Sequence, residues 1–175
     1  FSLTLDTHHP HGYMAESCKD LIYQDGRNPI LNSVHCADML AGKFIDSLKS
    51  NPVFKNTTLV VSSDHLALRN SATSLLERGD RKNLFLIFDQ KISPRIISKP
   101  GSMFDIAPTV LSAMGVHSRG LGFGRNLFFE SSLIEHELSF EAIIEFYKND
   151  ILSFWSFPQI KNKFDISLKN RTVNF

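Results

Sequence analysis

Thr57-Thr58-Leu59-Val60-Val61-Ser62-Ser63-Asp64-His65 is a short apolar, β-branched run closed by two serines, an acid and an imidazole. A run of this length and composition reads as a buried strand. Asp64 and His65 then lie at its carboxyl end, where open α/β sheets place their ligand sites. A carboxylate beside an imidazole can offer one oxygen and one nitrogen to a divalent cation such as Zn²⁺ or Mn²⁺. A helix N-cap Asp followed by a solvated His fits the dipeptide as well, so the dipeptide alone leaves both readings open.

Working outward, the 175 residues are 42% hydrophobic and 21% charged with a net charge of +1. That suffices for one domain with a core. No basic patch points to nucleic acid. No apolar stretch approaches the roughly 20 residues of a membrane helix, and the N-terminus lacks a signal-peptide pattern. Phe1-Ser2-Leu3-Thr4-Leu5 alternates like the middle of a strand, which leads us to expect a piece of a longer protein, cut on its N-terminal side. Cys18 and Cys36 flank a loop containing Asp25-Gly26-Arg27-Asn28-Pro29. They can be two buried thiols or a bridge that closes that loop.

Residues 1–6 are expected as a strand, followed by the turn-rich Thr7-His8-His9-Pro10-His11-Gly12. Ser33 is placed as the cap of a helix with an apolar face of Ala37, Leu40, Ala41, Phe44, Ile45 and Leu48, ended by Asn51-Pro52. Strand, helix, strand in this order suggests a parallel sheet. Residues 71–77 read as a short helix, 83–88 as a buried strand and 91–100 as loop or edge. Residues 103–114 read as a helix with an apolar stripe of Val110, Leu111 and Met114, Asp105 at its start and Gly115 past its end. Gly120-Leu121-Gly122-Phe123-Gly124 reads as a flexible turn that lacks the spacing of a nucleotide loop. A further amphipathic helix is expected over 139–152, capped by Ser139, with Ile143, Ile144, Tyr147 and Ile151 on one side. Residues 164–168 and 172–175 suit edge strands or a hairpin. His9, His11, His35, His117 and His136 carry no assigned role.

Four segments in order resemble the alkaline phosphatase and sulfatase superfamily. Val60-Val61-Ser62-Ser63-Asp64-His65 is similar to its strand-terminal metal motif. Phe104-Asp105-Ile106-Ala107-Pro108-Thr109-Val110-Leu111, followed by Met114-Gly115-Val116, resembles the Asp-x-x-Pro-Thr helix of sulfatases. The run from Gly120 to Leu127 resembles the Gly-x-Gly-x-x-Leu turn behind it. The helix from Cys36-Ala37-Asp38 to Leu48 sits where these enzymes place the helix before the metal strand. Within the superfamily, Thr4-Leu5-Asp6-Thr7-His8-His9-Pro10, the paired cysteines and Ser62-Ser63-Asp64-His65-Leu66-Ala67-Leu68 look like the phosphoglycerol transferase group, related to lipoteichoic acid synthases. Phe154-Trp155-Ser156-Phe157-Pro158 resembles it more weakly. Leu66 stands where sulfatases and phosphoethanolamine transferases, the alternative enzymes, carry Gly. A nonenzymatic remnant that binds a glucan or lipid head group is the alternative outside enzymes.

The resemblance implies an α/β fold: a sulfatase-like, alkaline phosphatase-like mixed sheet with helices on both faces, here without the N-terminal half. It implies residues 1–130 as the C-terminal portion of a catalytic domain and 131–175 as a helix and aromatic extension. It implies transfer of phosphoglycerol from the phosphatidylglycerol head group to a periplasmic glucan acceptor, at the periplasmic face of the bacterial inner membrane. Asp64 and His65 match metal ligands for Mn²⁺ or Zn²⁺, and His8 matches a histidine that contacts the phosphoglycerol group. The threonine nucleophile belongs to the missing N-terminal half, so no catalytic nucleophile is expected in this chain and the 175 residues alone are expected to be inactive. A periplasmic location would permit a Cys18–Cys36 disulfide.

Overall fold

The computed structural model describes residues 2–136 and 140–156, together with the backbone of 165–167 and 172–174. Its longest element is a helix over Pro29–Lys49 (α1). Asn28, not Ser33, caps it: the Asn28 side chain accepts from the Leu31 amide at 3.4 Å, and Pro29 fills the first turn, where no N–H is missed. Ser33 is buried inside the helix because Gly12 lies on it. Gly12 has a φ of +74°, and a Cβ there would come 2.5 Å from Ser33 Oγ. Cys36 is bridged to Cys18, with Cα atoms 5.8 Å apart. The bridge and the Gly12 contact turn Ile30, Ser33 and Cys36 inward. The expected face is therefore rotated, and Phe44 is 60% exposed.

After a 3₁₀ turn over Pro52–Asn56, Leu59–Ser62 (β1) pairs antiparallel with Phe85–Phe88 (β2), with Leu59 opposite Phe88 and Ser62 opposite Phe85. The connection between them holds a single helical turn, Thr73–Leu76 (α2). Among the described residues the pairings are antiparallel, and the parallel arrangement expected from strand, helix, strand is not formed. Residues 2–5 make no ladder, and Leu3 and Leu5 lie exposed. Alternation becomes a strand only when a neighbour takes its backbone donors and acceptors. At the end of the ladder where β1 begins and β2 ends, the Thr58 hydroxyl donates to Asp89 Oδ2 at 2.5 Å. That bond, with the Lys91 backbone N–H, holds the Asp89 carboxyl below its ordinary range.

A 3₁₀ turn over Met103–Asp105 leads into Ile106–Ala113 (α3), as expected, with Gly115 at φ +88° just past its end. The buried positions are Asp105, Pro108 and Thr109 rather than the stripe of Val110, Leu111 and Met114. The reason is an ordered hairpin where a flexible turn was expected: Gly120–Leu121 (β3) pairs antiparallel with Gly124–Arg125 (β4). Asp105, 1% exposed, accepts from the Ser102 N–H at 2.6 Å and hydroxyl at 2.9 Å, and from the Arg125 N–H at 2.6 Å. The fully buried Thr109 hydroxyl donates to the Asp105 carbonyl at 2.6 Å and accepts from the Leu127 N–H at 3.0 Å. Gly124 lies so close that a Cβ would overlap the Phe104 carbonyl. The two motifs of this region thus form one hydrogen-bonded unit.

Beyond it come Leu133–His136 (α4), Phe140–Phe146 (α5) and Lys148–Ser153 (α6). The single helix expected over 139–152 breaks at Tyr147; its expected cap, Ser139, lies outside the described residues. Phe104 meets Phe140 edge-on at 6.4 Å, and Phe123 meets Tyr147 at 5.4 Å, so these helices lean on the α3–hairpin unit. Asp165–Ser167 (β5) and Thr172–Asn174 (β6) form the expected hairpin. Among the described residues no helix is long and apolar enough to cross a membrane.

Candidate functional site

The end of β1 positions the site. Ser63 finishes the ladder: its N–H donates to the Leu84 carbonyl at 2.9 Å and its Oγ accepts from the Leu84 N–H at 3.0 Å. Asp64 and His65 then project past the last pairing. Their side chains are 70% and 58% exposed, and His65 Nε2 lies 3.5 Å from Asp64 Oδ2. The other carboxylate oxygen, Oδ1, accepts from the His65 N–H at 2.9 Å.

His65 Nδ1 lies 2.8 Å from the Leu66 carbonyl. A carbonyl only accepts, so Nδ1 carries the proton and the neutral ring keeps its lone pair on Nε2. Metal-ligating histidines are oriented by this kind of bond from the opposite ring nitrogen. Nε2 and Oδ2 therefore face the same space with one lone-pair donor each, a nitrogen and an oxygen suited to Zn²⁺ or Mn²⁺. The donor set fits such an ion but does not fill its shell. Among the described residues no group of three or more His, Cys, Asp or Glu side chains comes together to hold a metal.

His8 lies in a tight loop. Its N–H donates to the Leu5 carbonyl at 3.0 Å, its carbonyl accepts from the Gly12 N–H at 2.8 Å, and the Tyr13 N–H donates to the Asp6 carbonyl at 2.5 Å. His8 Nδ1 lies 2.7 Å from the His9 carbonyl, and the two rings stack at 4.5 Å. The same argument leaves His8 Nε2 free. His9 and His11 are exposed, as are His117 and His136, while half-buried His35 meets Tyr23 edge-on at 5.8 Å.

Ser71 joins the loop of His8 to the segment behind His65. Its N–H donates to the Pro10 carbonyl at 3.2 Å, its hydroxyl to Asn28 Oδ1 at 2.9 Å, and its carbonyl accepts from Asn28 Nδ2 at 3.0 Å. Two loops and the start of α1 therefore meet at one serine. No hydrogen bond or ion pair joins His8 directly to Asp64 or His65 among the described residues. Residues 66–70 carry no periodicity that marks an element, and the short helix expected over 71–77 forms as the single turn Thr73–Leu76.

Three comparisons bear on this site. The Sulfatase family model matches residues 1–116, which takes in His8, Asp64, His65 and the Asp105 helix. The chain is 35% identical to phosphoglycerol transferase I of Escherichia fergusonii over 178 positions, covering 100% of this chain and 23% of that protein. It is 36% identical to phosphoglycerol transferase I of Citrobacter koseri over 179 positions, with the same coverage of 100% and 23%. The chain thus spans 23% of the length of these relatives. No solved structure matches it. With its strand-terminal acid and imidazole inside the matched span, the chain belongs to the sulfatase family.

Proposed function

We propose that this chain is the C-terminal part of the catalytic domain of a metal-dependent transferase that moves phosphoglycerol from phosphatidylglycerol to a periplasmic glucan, at the periplasmic face of the bacterial inner membrane. The observation that carries the proposal is the similarity to phosphoglycerol transferase I along the whole chain. The exposed Asp64–His65 pair supports it, because its geometry suits a ligand set completed from elsewhere.

In this reading Asp64 and His65 Nε2 hold Mn²⁺ or Zn²⁺, and the remaining ligands come from the N-terminal part of the domain. Such an ion, when bound, neutralises phosphate charge and acidifies a hydroxyl. His8 meets the head group through Nε2. The neutral ring accepts there from a glycerol hydroxyl, and the protonated ring donates to a phosphate oxygen. The threonine that attacks phosphorus and expels diacylglycerol, forming a covalent phosphoglycerol intermediate from which a sugar hydroxyl then displaces the threonine oxygen, lies outside these residues. The 175-residue polypeptide alone therefore shows no turnover.

The test is head-group selectivity in the full-length enzyme. Diacylglycerol should be released from phosphatidylglycerol and not from phosphatidylethanolamine at equal surface concentration. Release from phosphatidylethanolamine alone would replace the proposal with a phosphoethanolamine transferase.

A further inference from the structure

The segment after the Asp64–His65 pair folds around an open cavity of about 560 Å³, bounded by residues between Ala67 and Arg81. Its polar groups divide into two sets. One set holds the loop in shape. Asn70 Nδ2 donates to the Leu68 carbonyl at 3.0 Å, Asn70 Oδ1 accepts from the Ala72 N–H at 2.8 Å, and the Thr73 hydroxyl accepts from the Asn70 N–H at 2.8 Å. Ser71 spends its three polar groups on Pro10 and Asn28 as described, and Ala72 is buried beneath. Arg81 donates through one terminal nitrogen to the Ala67 carbonyl, which fixes the rim.

The second set has no partner among the described residues. Arg69, Ser74 and Glu77 all line the cavity with exposed, solvated side chains, and none of these makes a hydrogen bond or ion pair within the described residues, so each is available to a ligand that displaces water. Arg69 offers donors only, Glu77 acceptors only, and Ser74 both. Leu68 and Leu76 also line the cavity and contribute apolar wall. An inorganic anion would suit Arg69 but meet the Glu77 carboxylate. A sugar satisfies all of these groups, because each hydroxyl donates and accepts while the C–H faces of the ring pack on leucine. The volume lies within the usual range of ligand sites, about 300–1,000 Å³.

We infer that the cavity between Ala67 and Arg81, which follows Asp64 and His65 directly in the chain, is a carbohydrate subsite in which Arg69, Ser74 and Glu77 bind the hydroxyls of a neutral oligosaccharide acceptor. The inference rests on the transferase reading for the word acceptor, but not for the binding itself.

Two arms test it in the full-length enzyme, each with Arg69→Ala, Glu77→Gln and the conservative Arg69→Lys. Glu145→Gln, on exposed α5, serves as control. In the kinetic arm, phosphatidylglycerol is the donor and a linear gluco-oligosaccharide the acceptor. Arg69→Ala and Glu77→Gln should raise the acceptor KM about tenfold or more relative to the donor KM, the loss expected for a charged hydrogen-bonding partner. Arg69→Lys should recover part of it, and Glu145→Gln should change neither. Equal effects on both KM values, or none, would overturn the inference while leaving the transferase reading standing. In the binding arm, calorimetry with the same oligosaccharide needs no turnover, so it still decides the matter if phosphatidylglycerol is not a donor. Weakened sugar binding in Arg69→Ala and Glu77→Gln supports the subsite. Unchanged sugar binding, or binding of inorganic phosphate that needs Arg69 in its place, refutes it.

Discussion

Replacing Asp105 with Ala would separate the α3 helix from the hairpin that covers it. The carboxylate is 1% exposed and is the common acceptor for the Ser102 N–H, the Ser102 hydroxyl and the Arg125 N–H, at 2.6, 2.9 and 2.6 Å. The hydroxyl can rotate to another acceptor, but the two backbone donors cannot. Both donors are half-buried, so each orphaned N–H falls toward the lower part of the roughly 1–3 kcal/mol range. The Ser102 N–H bond is itself the helix-start contact, so it is counted once. The sum, about 2 kcal/mol, is a sizeable share of a margin of roughly 5–15 kcal/mol. For a domain of this size it corresponds to a fall of about 4–8 °C in Tm. Asp105→Asn keeps one acceptor oxygen and should cost about half as much. Calorimetric melting gives the size, and amide exchange of a peptide covering 118–130 gives the location, since Arg125 and Leu127 should lose protection first. A fall below about 2 °C with unchanged exchange would show that the carboxylate does not hold the hairpin.

Gly124→Ala forces a methyl into the Phe104 carbonyl, and backbone has less room to yield than a side chain. The expected cost is about 3 kcal/mol or more, the upper end of overpacking, read by denaturant unfolding. Asp89 is held below its ordinary value of 3.8, first by the Thr58 hydroxyl and then by the Lys91 N–H. A lowered folded-state value means stability that is present above pH 3.8 and lost as the pH falls through the folded value. Thr58→Val should therefore be less stable than the parent at neutral pH, with the gap closing below about pH 4; a gap independent of pH would assign the loss to packing. Cys18 and Cys36 are both buried, and their bridge spans 18 positions. The native protein should resist thiol alkylation until reduced, and reduction should cost about 3 kcal/mol on the chain-entropy model.

Local chemistry was legible in the sequence wherever one segment decides its own state. The β-branched run ending at Ser62, the Phe-rich strand over 85–88, the helix after Met103 and the stop at Pro52 all appear where their composition places them. Asp105 also sits at its helix start as expected, though its bond from the Arg125 N–H, twenty residues away, carries no local mark. Long-range choices were less legible. Ser33 has the composition of a cap, yet Gly12 packs on it and Asn28 caps instead. Phe44 belongs to the apolar periodicity of α1, but the bridge at Cys36 turns another face inward. Leu3 and Leu5 alternate as a strand does and find no ladder partner among the described residues. The placement of Asp64 and His65 at a strand end was legible because they follow the apolar run directly. The Ser71 junction and the partnerless Arg69 and Glu77 were not, because their meaning depends on which neighbours already hold the other polar groups.

The central claim, that Asp64 and His65 serve a metal-dependent attack on phosphatidylglycerol, is tested most directly by diacylglycerol release from the full-length enzyme, with and without a chelator, in parent, Asp64→Ala and His65→Ala forms. The account predicts release in the parent that chelation abolishes and Mn²⁺ or Zn²⁺ restores, with both variants losing metal content and about a hundredfold or more in rate while still melting cooperatively. Full release by either folded variant, or release indifferent to the chelator, would contradict it.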